Sequence, residues 1–259
     1  MIMELRPNRV KRKLAAGDIA YIAVGMTDPD DIDAFGPCGF DGVWLEGEHG
    51  AVDAANLGNL TRACDIWGLT SIVRVNSNDQ GLIYRTFDRG AQGVCIPHVN
   101  TAAEAQNVVA GGKFAPLGQR GLFTSRQGYG VEDYFAKAND ETLLMMLIED
   151  IIAVGNLDEI LAVEGFDSFI IGPVDLSISL GVAFDYESQV FQDAQAKLAD
   201  AARRSGKPAG IGVYRPAFEA PSLQRAIDDG FSLILAGGDE PFLTVGCQQL
   251  AQIRAGLEY

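Results

Sequence analysis

Histidine is scarce in this chain. His49 and His98 are the only two, which excludes a metal site built from several imidazoles. Cysteine is nearly as sparse: Cys38, Cys64, Cys95 and Cys247 lie far apart with no CxxC pair. That spacing excludes a zinc ribbon and fits structural thiols in a reducing cytoplasm. Positive charge is short too, with 20 Lys and Arg against 35 Asp and Glu, a formal net charge of −15. Such a chain repels a phosphate backbone, so no nucleic-acid partner is expected. Its densest cationic run, Arg9, Lys11, Arg12 and Lys13, reads as a solvated helix face. No run of roughly 18 apolar residues exists to span a bilayer, so no membrane association is expected. The stretch IAYIAVGM follows a basic segment as a signal peptide would. It is short, Asp18 precedes it, and Asp28, Asp30 and Asp31 stand where a cleavage site should be, so it reads as a first core strand.

What is present is an ordinary globular composition. The 259 residues are 47% hydrophobic and 21% charged, enough to bury a core, and no linker breaks them, so residues 1–259 are expected to form one domain. Apolar runs recur at 19–25, 42–46, 71–75, 93–97, 143–149, 168–172, 209–213 and 232–237. They are nearly continuous, as in parallel strands covered on both faces. Amphipathic segments lie between them, among them 54–68 and 187–206; the second ends in Arg203, Arg204 and Gly206, a helix stop. This α/β alternation predicts a (β/α)8 TIM barrel. A Rossmann sheet is the alternative, but neither GMTDPDD nor EGEHGAV has its GxGxxG spacing. One interval is uneven: between Pro97 and Thr142 a single helix is followed by FAPLGQRGLFTSRQGYG. A loop of this length is usually functional, and it is expected at the catalytic end, after the fourth strand.

Catalytic groups of such barrels stand where strands end. The second run ends in Glu46, Glu48 and His49, the third carries Arg74, the fifth ends in Glu149 and Asp150, and GPVDLS with Asp175 follows the sixth. A lone strand-end Glu of this kind is more often a helix cap or a solvated loop residue than a catalytic group. Arg74 is harder to dismiss, because an arginine in a buried strand needs a carboxylate partner. Glu149 and Asp175 offer two hard oxygen ligands, which suits Mg²⁺ or Mn²⁺, with Co²⁺ admissible, better than zinc. A 2-oxo acid can chelate such an ion, which then acts as a Lewis acid toward the enolate. Arg74 can hydrogen-bond the developing oxyanion. His49 is the natural base for a carbon-bound proton, and Glu46 is placed to orient its imidazole. A Schiff-base mechanism would need an amine in the mouth, yet none of Lys11, Lys13, Lys113, Lys137, Lys197 and Lys207 ends an apolar run. No organic cofactor is expected. The segment AGGDEPFL (236–243) reads either as a plain turn into the last helix or as a phosphate nest.

DGVWLEGEHG resembles the histidine-bearing segment of the HpcH/HpaI family of metal-dependent 2-oxo-acid aldolases. VRVN, DRGAQGVCIPHVNTAAEA, LIED, GNLDEILAVEGFDSFIIGPVDLSISLG and KPAGIGV resemble its later segments in order. The resemblance implies reversible aldol addition of pyruvate or hydroxypyruvate to an aldehyde. It implies His49 as base, Arg74 as enolate-stabilising arginine, and Glu149 and Asp175 as metal ligands. Gly172, Pro173, Val174 and Asp175 would face the substrate, with Glu48 and Asp88 supporting, Asp88 near a subunit interface. It also implies a homo-oligomer, a hexamer built as a dimer of trimers, with the last helix packed on a neighbouring subunit. Two positions depart from the family pattern. Glu46 stands where Asp is usual, and Leu147 stands where many members have a substrate-binding Gln; Arg126 or Gln127 in the long loop is expected to replace that donor. A related lyase or decarboxylase acting on a C4-dicarboxylate or thioester, and a non-catalytic metabolite-binding barrel, remain as alternatives.

Overall fold

The structure, a computed structural model, describes residues 3–123, 125–213 and 220–256. The strands are β1 (Ala20–Val24), β2 (Gly42–Glu46), β3 (Thr70–Arg74), β4 (Gly93–Ile96), β5 (Leu143–Ile148), β6 (Ser168–Ile171), β7 (Ala209–Val213) and β8 (Leu233–Gly238). All neighbours pair in parallel, and β8 returns to β1 to close an eight-stranded barrel. The helices are α1 (Arg9–Ala15), α2 (Pro29–Phe35), α3 (Leu57–Ile66), α4 (Gln80–Asp88), α5 (Ala102–Gly112), α6 (Ser125–Gly128) and α7 (Tyr134–Glu141). Beyond β5 come α8 (Ile151–Gly155), α9 (Leu157–Leu161), α10 (Pro173–Ser179), α11 (Gln189–Ser205), α12 (Ala220–Asp228) and α13 (Asp239–Ala255). The expected TIM barrel is the fold, and each apolar run overlaps one strand, with β3 and β8 each reaching one residue beyond their runs. Gly206 caps α11 in the left-handed conformation at φ 68°, as its Arg-Arg-Ser-Gly ending predicts. No helix among the described residues is long and apolar enough to cross a membrane.

Strand alternation sorts the side chains into two layers. Val43, Leu45, Val73, Val94, Leu144 and Met146 face outward into the helix–sheet layer. Ile22, Trp44, Ile72, Cys95, Met145, Leu147, Ile170 and Leu235 face inward and fill the barrel with Val10 and Leu14 of α1. The period of two then fixes the rim. Glu46 follows inward Trp44, Arg74 follows inward Ile72, and Glu149 follows inward Leu147, so these charged groups end inward-facing rows.

The other end is sealed by α1. The Asn8 side chain donates to the carbonyls of Gln92 (3.0 Å) and Glu141 (3.1 Å) and caps α1 by accepting from the Lys11 backbone N–H. Arg9 and Lys13 both pair with the buried Asp41 at 2.9 Å, Lys11 pairs with Asp167 at 2.9 Å, and Arg12 pairs with Glu141. Arg9 and Arg12 are exposed, as a solvated face would have them, while Lys11 and Lys13 are half-buried, so the run is at once a solvated face and a lock on the barrel floor. Its cations lie against strand-start carboxylates, where burial strengthens the attraction.

The long segment corrects a second expectation. The β4–α5 connection is only residues 97–101, and the segment from 113 to 142 follows α5, so it returns to the N-terminal ends of the strands. Its core is a separate cluster of Phe114, Tyr134 and Ala138, and Arg120 lies between the rings of Phe87 and Phe114 at 4.8 and 4.5 Å. The 236–243 segment is the end of β8 running directly into α13, without the intervening turn expected. Asp239 Oδ1 accepts the Glu240 N–H, and two carboxylates at that helix start are the wrong charge for a phosphate nest.

Candidate active site

At the C-terminal ends of the strands a cleft of about 220 Å³ opens, and its polar lining is His49, Arg74, Glu149 and Asp175. Trp44, Leu147, Ile170 and Leu235 form apolar walls, and the Gly172–Pro173–Val174 turn into α10 forms one side. The residues singled out as base, oxyanion donor and metal ligands, with Gly172, Pro173 and Val174 of the expected substrate contacts, thus share one cavity. No lysine lines it among the described residues; Lys113, whose amine burial pushes down to about 8, sits on the floor bonded to Thr142 O at 2.7 Å. An adjoining larger cleft of about 420 Å³ shares Pro173 and Val174 and extends past Val213 toward α11 and α12.

Arg74 is fixed by two carboxylates. Its Nε reaches both Glu46 oxygens at 3.0 and 2.8 Å, one Nη lies 2.7 Å from Glu46 Oε2, and the other lies 3.0 Å from Glu48 Oε2. Burial works against both charges. The hydrogen bonds and opposite charge outweigh it, holding Arg74 above its ordinary value and Glu46 below the usual carboxylate value. The guanidinium carbon lies 5.9 Å from the centroid of the Trp44 ring, whose Nε1 donates to Glu46 at 3.0 Å.

This geometry corrects the expected part of Glu46. Glu46 and Arg74 are register partners on adjacent strands, so the carboxylate meets the guanidinium before it can reach an imidazole. Glu46 Oε1 does accept from His49, but from its backbone N–H at 3.1 Å, and from that of Glu48 at 2.8 Å. It shapes the loop that carries His49. The imidazole itself is largely exposed, with Nε2 3.7 Å from Glu48 Oε2.

Glu149 is the buried acid of the site, 1% exposed. Its Oε1 accepts the His98 backbone N–H at 3.1 Å, whereas Oε2 is buried without a partner. That free oxygen lies against Gly172, where a Cβ would approach it to 2.5 Å. Burial, opposed by His98 and helped by the charge of Asp175, pushes the Glu149 carboxyl up to about 7. An orphaned carboxylate oxygen beside a second carboxylate is what a cation would satisfy. Among the described residues no group of three or more His, Cys, Asp or Glu could hold a metal alone. A two-carboxylate donor set completed by water and substrate fits Mg²⁺ or Mn²⁺ and not a closed zinc site.

Arg126, Gln127 and Asp88 are not in the cleft. Arg126 pairs with Asp65 and donates to Thr61 Oγ1 at 3.1 Å, Gln127 donates to Gly90 O at 2.8 Å, and Asp88 pairs with Arg120 at 3.1 Å. All belong to the N-terminal end of the barrel, because the segment bearing Arg126 and Gln127 comes after α5; within this chain neither replaces the donor missing at Leu147. Sequence reasoning gave His98 no role, and it named Asp150, the contact partner of its ring, only as a carboxylate at a strand end. The rule used for the other strands would have found His98, because it is the second residue beyond the end of β4.

A closed parallel barrel with this charged mouth is built as an enzyme. The chain is 32% identical over 254 residues to the 5-keto-4-deoxy-D-glucarate aldolase of Escherichia fergusonii, covering 96% of this chain and 97% of that protein. It is 30% identical to the hydroxypyruvate/pyruvate aldolase of Pseudomonas aeruginosa, covering 96% and 93%. These relations make it a carbon–carbon lyase of the aldolase class. The profile of the HpcH/HpaI aldolase/citrate lyase family matches residues 22–232, and the chain belongs to that family. The crystal structure of an HpcH/HpaI aldolase from Desulfitobacterium hafniense superposes with a TM-score of 0.88 at 28% identity, covering 96% of this chain and 97% of that one.

Proposed function

We propose that this chain, acting as one barrel domain, is a divalent-metal-dependent aldolase that adds pyruvate or hydroxypyruvate reversibly to an aldehyde. The observation that carries the reading is the unpartnered, buried Oε2 of Glu149 in the cleft that also holds Asp175, Arg74 and His49. Glu149 and Asp175 would hold the ion, which when bound supplies Lewis acidity toward the keto oxygen of the oxo acid. Arg74, clamped by Glu46 and Glu48, presents a fixed positive charge to the oxygen that becomes negative as the enolate forms. The His49 imidazole takes the proton from the carbon next to the ketone, a contribution of about 10²–10⁴ in rate. That carbon then bonds to the aldehyde carbon, whose oxygen gains a proton to become the product hydroxyl. Trp44, Leu147, Ile170 and Leu235 keep water from the enolate carbon.

The oxo-acid class is supported by the named activities of the two relatives above. Leu147 makes the wall beside Glu149 apolar, so the choice between pyruvate and hydroxypyruvate rests on the remaining polar groups. The aldehyde's far end would extend into the cleft beside Val213. We further assign the protein to the cytoplasm, in keeping with four free cysteines, and to a hexamer in which α13 packs on a neighbour. Leu250 and Ile253 on that helix are 57% and 61% exposed, while Leu257 lies outside the described residues. The test is pyruvate release from an aldol substrate before and after chelation, with oxaloacetate decarboxylation run in parallel. Release that depends on restored Mg²⁺ or Mn²⁺ supports the reading, and release that survives full metal removal refutes it.

A further inference from the structure

We infer that His98 is a positioning residue that turns the Glu149 carboxylate so that one chosen oxygen faces the cleft. The inference rests on the reading of Glu149 as an ion ligand. The β4 run ends at Ile96, and after Pro97 the chain enters the left-handed region at His98, with φ 51°. Non-glycine residues occupy that region rarely, and His is among the types found there more often. Here the conformation has a visible consequence. It aims the His98 backbone N–H at Glu149 Oε1, 3.1 Å away, and carries the ring back over the same carboxylate. Nδ1 lies 3.5 Å from Glu149 Oε1 and 3.0 Å from Asp150 Oδ2.

The brace continues outward. Asn100 Nδ2 donates to the same Asp150 oxygen at 3.0 Å, and the Asn100 carbonyl accepts from Asn156 Nδ2 at 2.9 Å. The end of β5 is thereby tied to the β4–α5 connection through side chains on both. The backbone N–H hydrogen-bonds Oε1, and the ring Nδ1, held by its own hydrogen bond to Asp150, stands beside that same oxygen, so the two sit on one side of the carboxylate while Oε2 has no partner. A glutamate has three side-chain torsions, so the group that holds one of its oxygens decides which oxygen is left free. With it, Oε2 is the oxygen left without a partner, against Gly172 in the cleft wall. Partners behind a ligating carboxylate commonly set metal affinity by about 10–100-fold.

The experiment is Mn²⁺ binding to the whole protein, followed by electron paramagnetic resonance, for wild type, Glu149→Gln, His98→Gly and His98→Asn. Glycine adopts the left-handed conformation freely and keeps the backbone N–H, so His98→Gly removes the ring alone. Asparagine tolerates the same conformation and places an N–H donor near the position of Nδ1. We expect His98→Gly to bind Mn²⁺ at least about 10-fold more weakly and His98→Asn to recover most of that loss. Wild-type affinity in His98→Gly, or equal weakness in His98→Asn and His98→Gly, overturns the role of His98 while leaving Glu149 as ligand. Equal affinity in wild type and Glu149→Gln overturns the ligand reading itself, and the inference with it.

Discussion

Replacing Glu149 by glutamine should make the ion-free protein more stable while it destroys the site. The folded-state pKa of Glu149 is raised from an ordinary 4.5 to about 7, first by burial and then by the charge of Asp175. The folded chain therefore binds this proton more tightly than the unfolded chain does. Its contribution is fully favourable below pH 4.5 and is lost as pH rises through about 7. At about 1.36 kcal/mol per pKa unit, the charged carboxylate costs on the order of 3 kcal/mol at pH 8. Glutamine removes that cost and keeps the shape, and leaving its amide without a partner returns roughly 1 kcal/mol, so a net gain of about 2 kcal/mol is expected. Urea unfolding at pH 5 and pH 8, with chelator and at matched protein concentration, measures it. The two proteins should converge at the lower pH and separate at the higher. Added Mg²⁺ should then stabilise wild type alone, by about 2.7 kcal/mol at an ion concentration of 100 Kd. A variant less stable than wild type at pH 8 without ion, or a difference that ignores pH, would refute the reasoning.

Three other perturbations test neighbouring parts of the site. His49→Ala should slow exchange of the pyruvate methyl protons by at least about 10², read by NMR in deuterated buffer; unchanged exchange would give the proton to another group. Gly172→Ala should weaken Mn²⁺ binding at least about 10-fold, because the new Cβ would meet Glu149 Oε2 at 2.5 Å although φ −87° suits alanine. Unaltered affinity would mean that the free oxygen is not where the ion binds. Light scattering at micromolar concentration should give a particle several times the 27.7 kDa chain, and a monomer would contradict the packing assigned to α13.

The barrel and the convergence at its mouth were legible because both depend on local pattern. Apolar runs of Val, Ile and Leu mark strands, and a polar residue at the end of an inward row must emerge at the rim. That logic located Arg74 and Glu149 without knowledge of any contact, and the segment after the sixth run supplied Asp175, which lies on α10. It failed where partners are chosen across strands. The register that pairs Glu46 with Arg74 is a three-dimensional fact, and it diverts Glu46 from the imidazole three residues away. It failed again at Arg126 and Gln127, where a long interval was credited to the loop after β4 although helix α5 intervenes and reverses the end of the barrel. The basic run of α1 gave no local sign of its partners, since Asp41, Glu141 and Asp167 are brought to it by closure of the barrel.

The seal that α1 makes divides the labour between the two ends of the barrel. Below, Val10 and Leu14 plug the base while the cations of α1 hold Asp41, Glu141 and Asp167, so that end serves cohesion. Above, the inward rows stop at charged groups around an open cleft, so the loops there can vary without disturbing the plug.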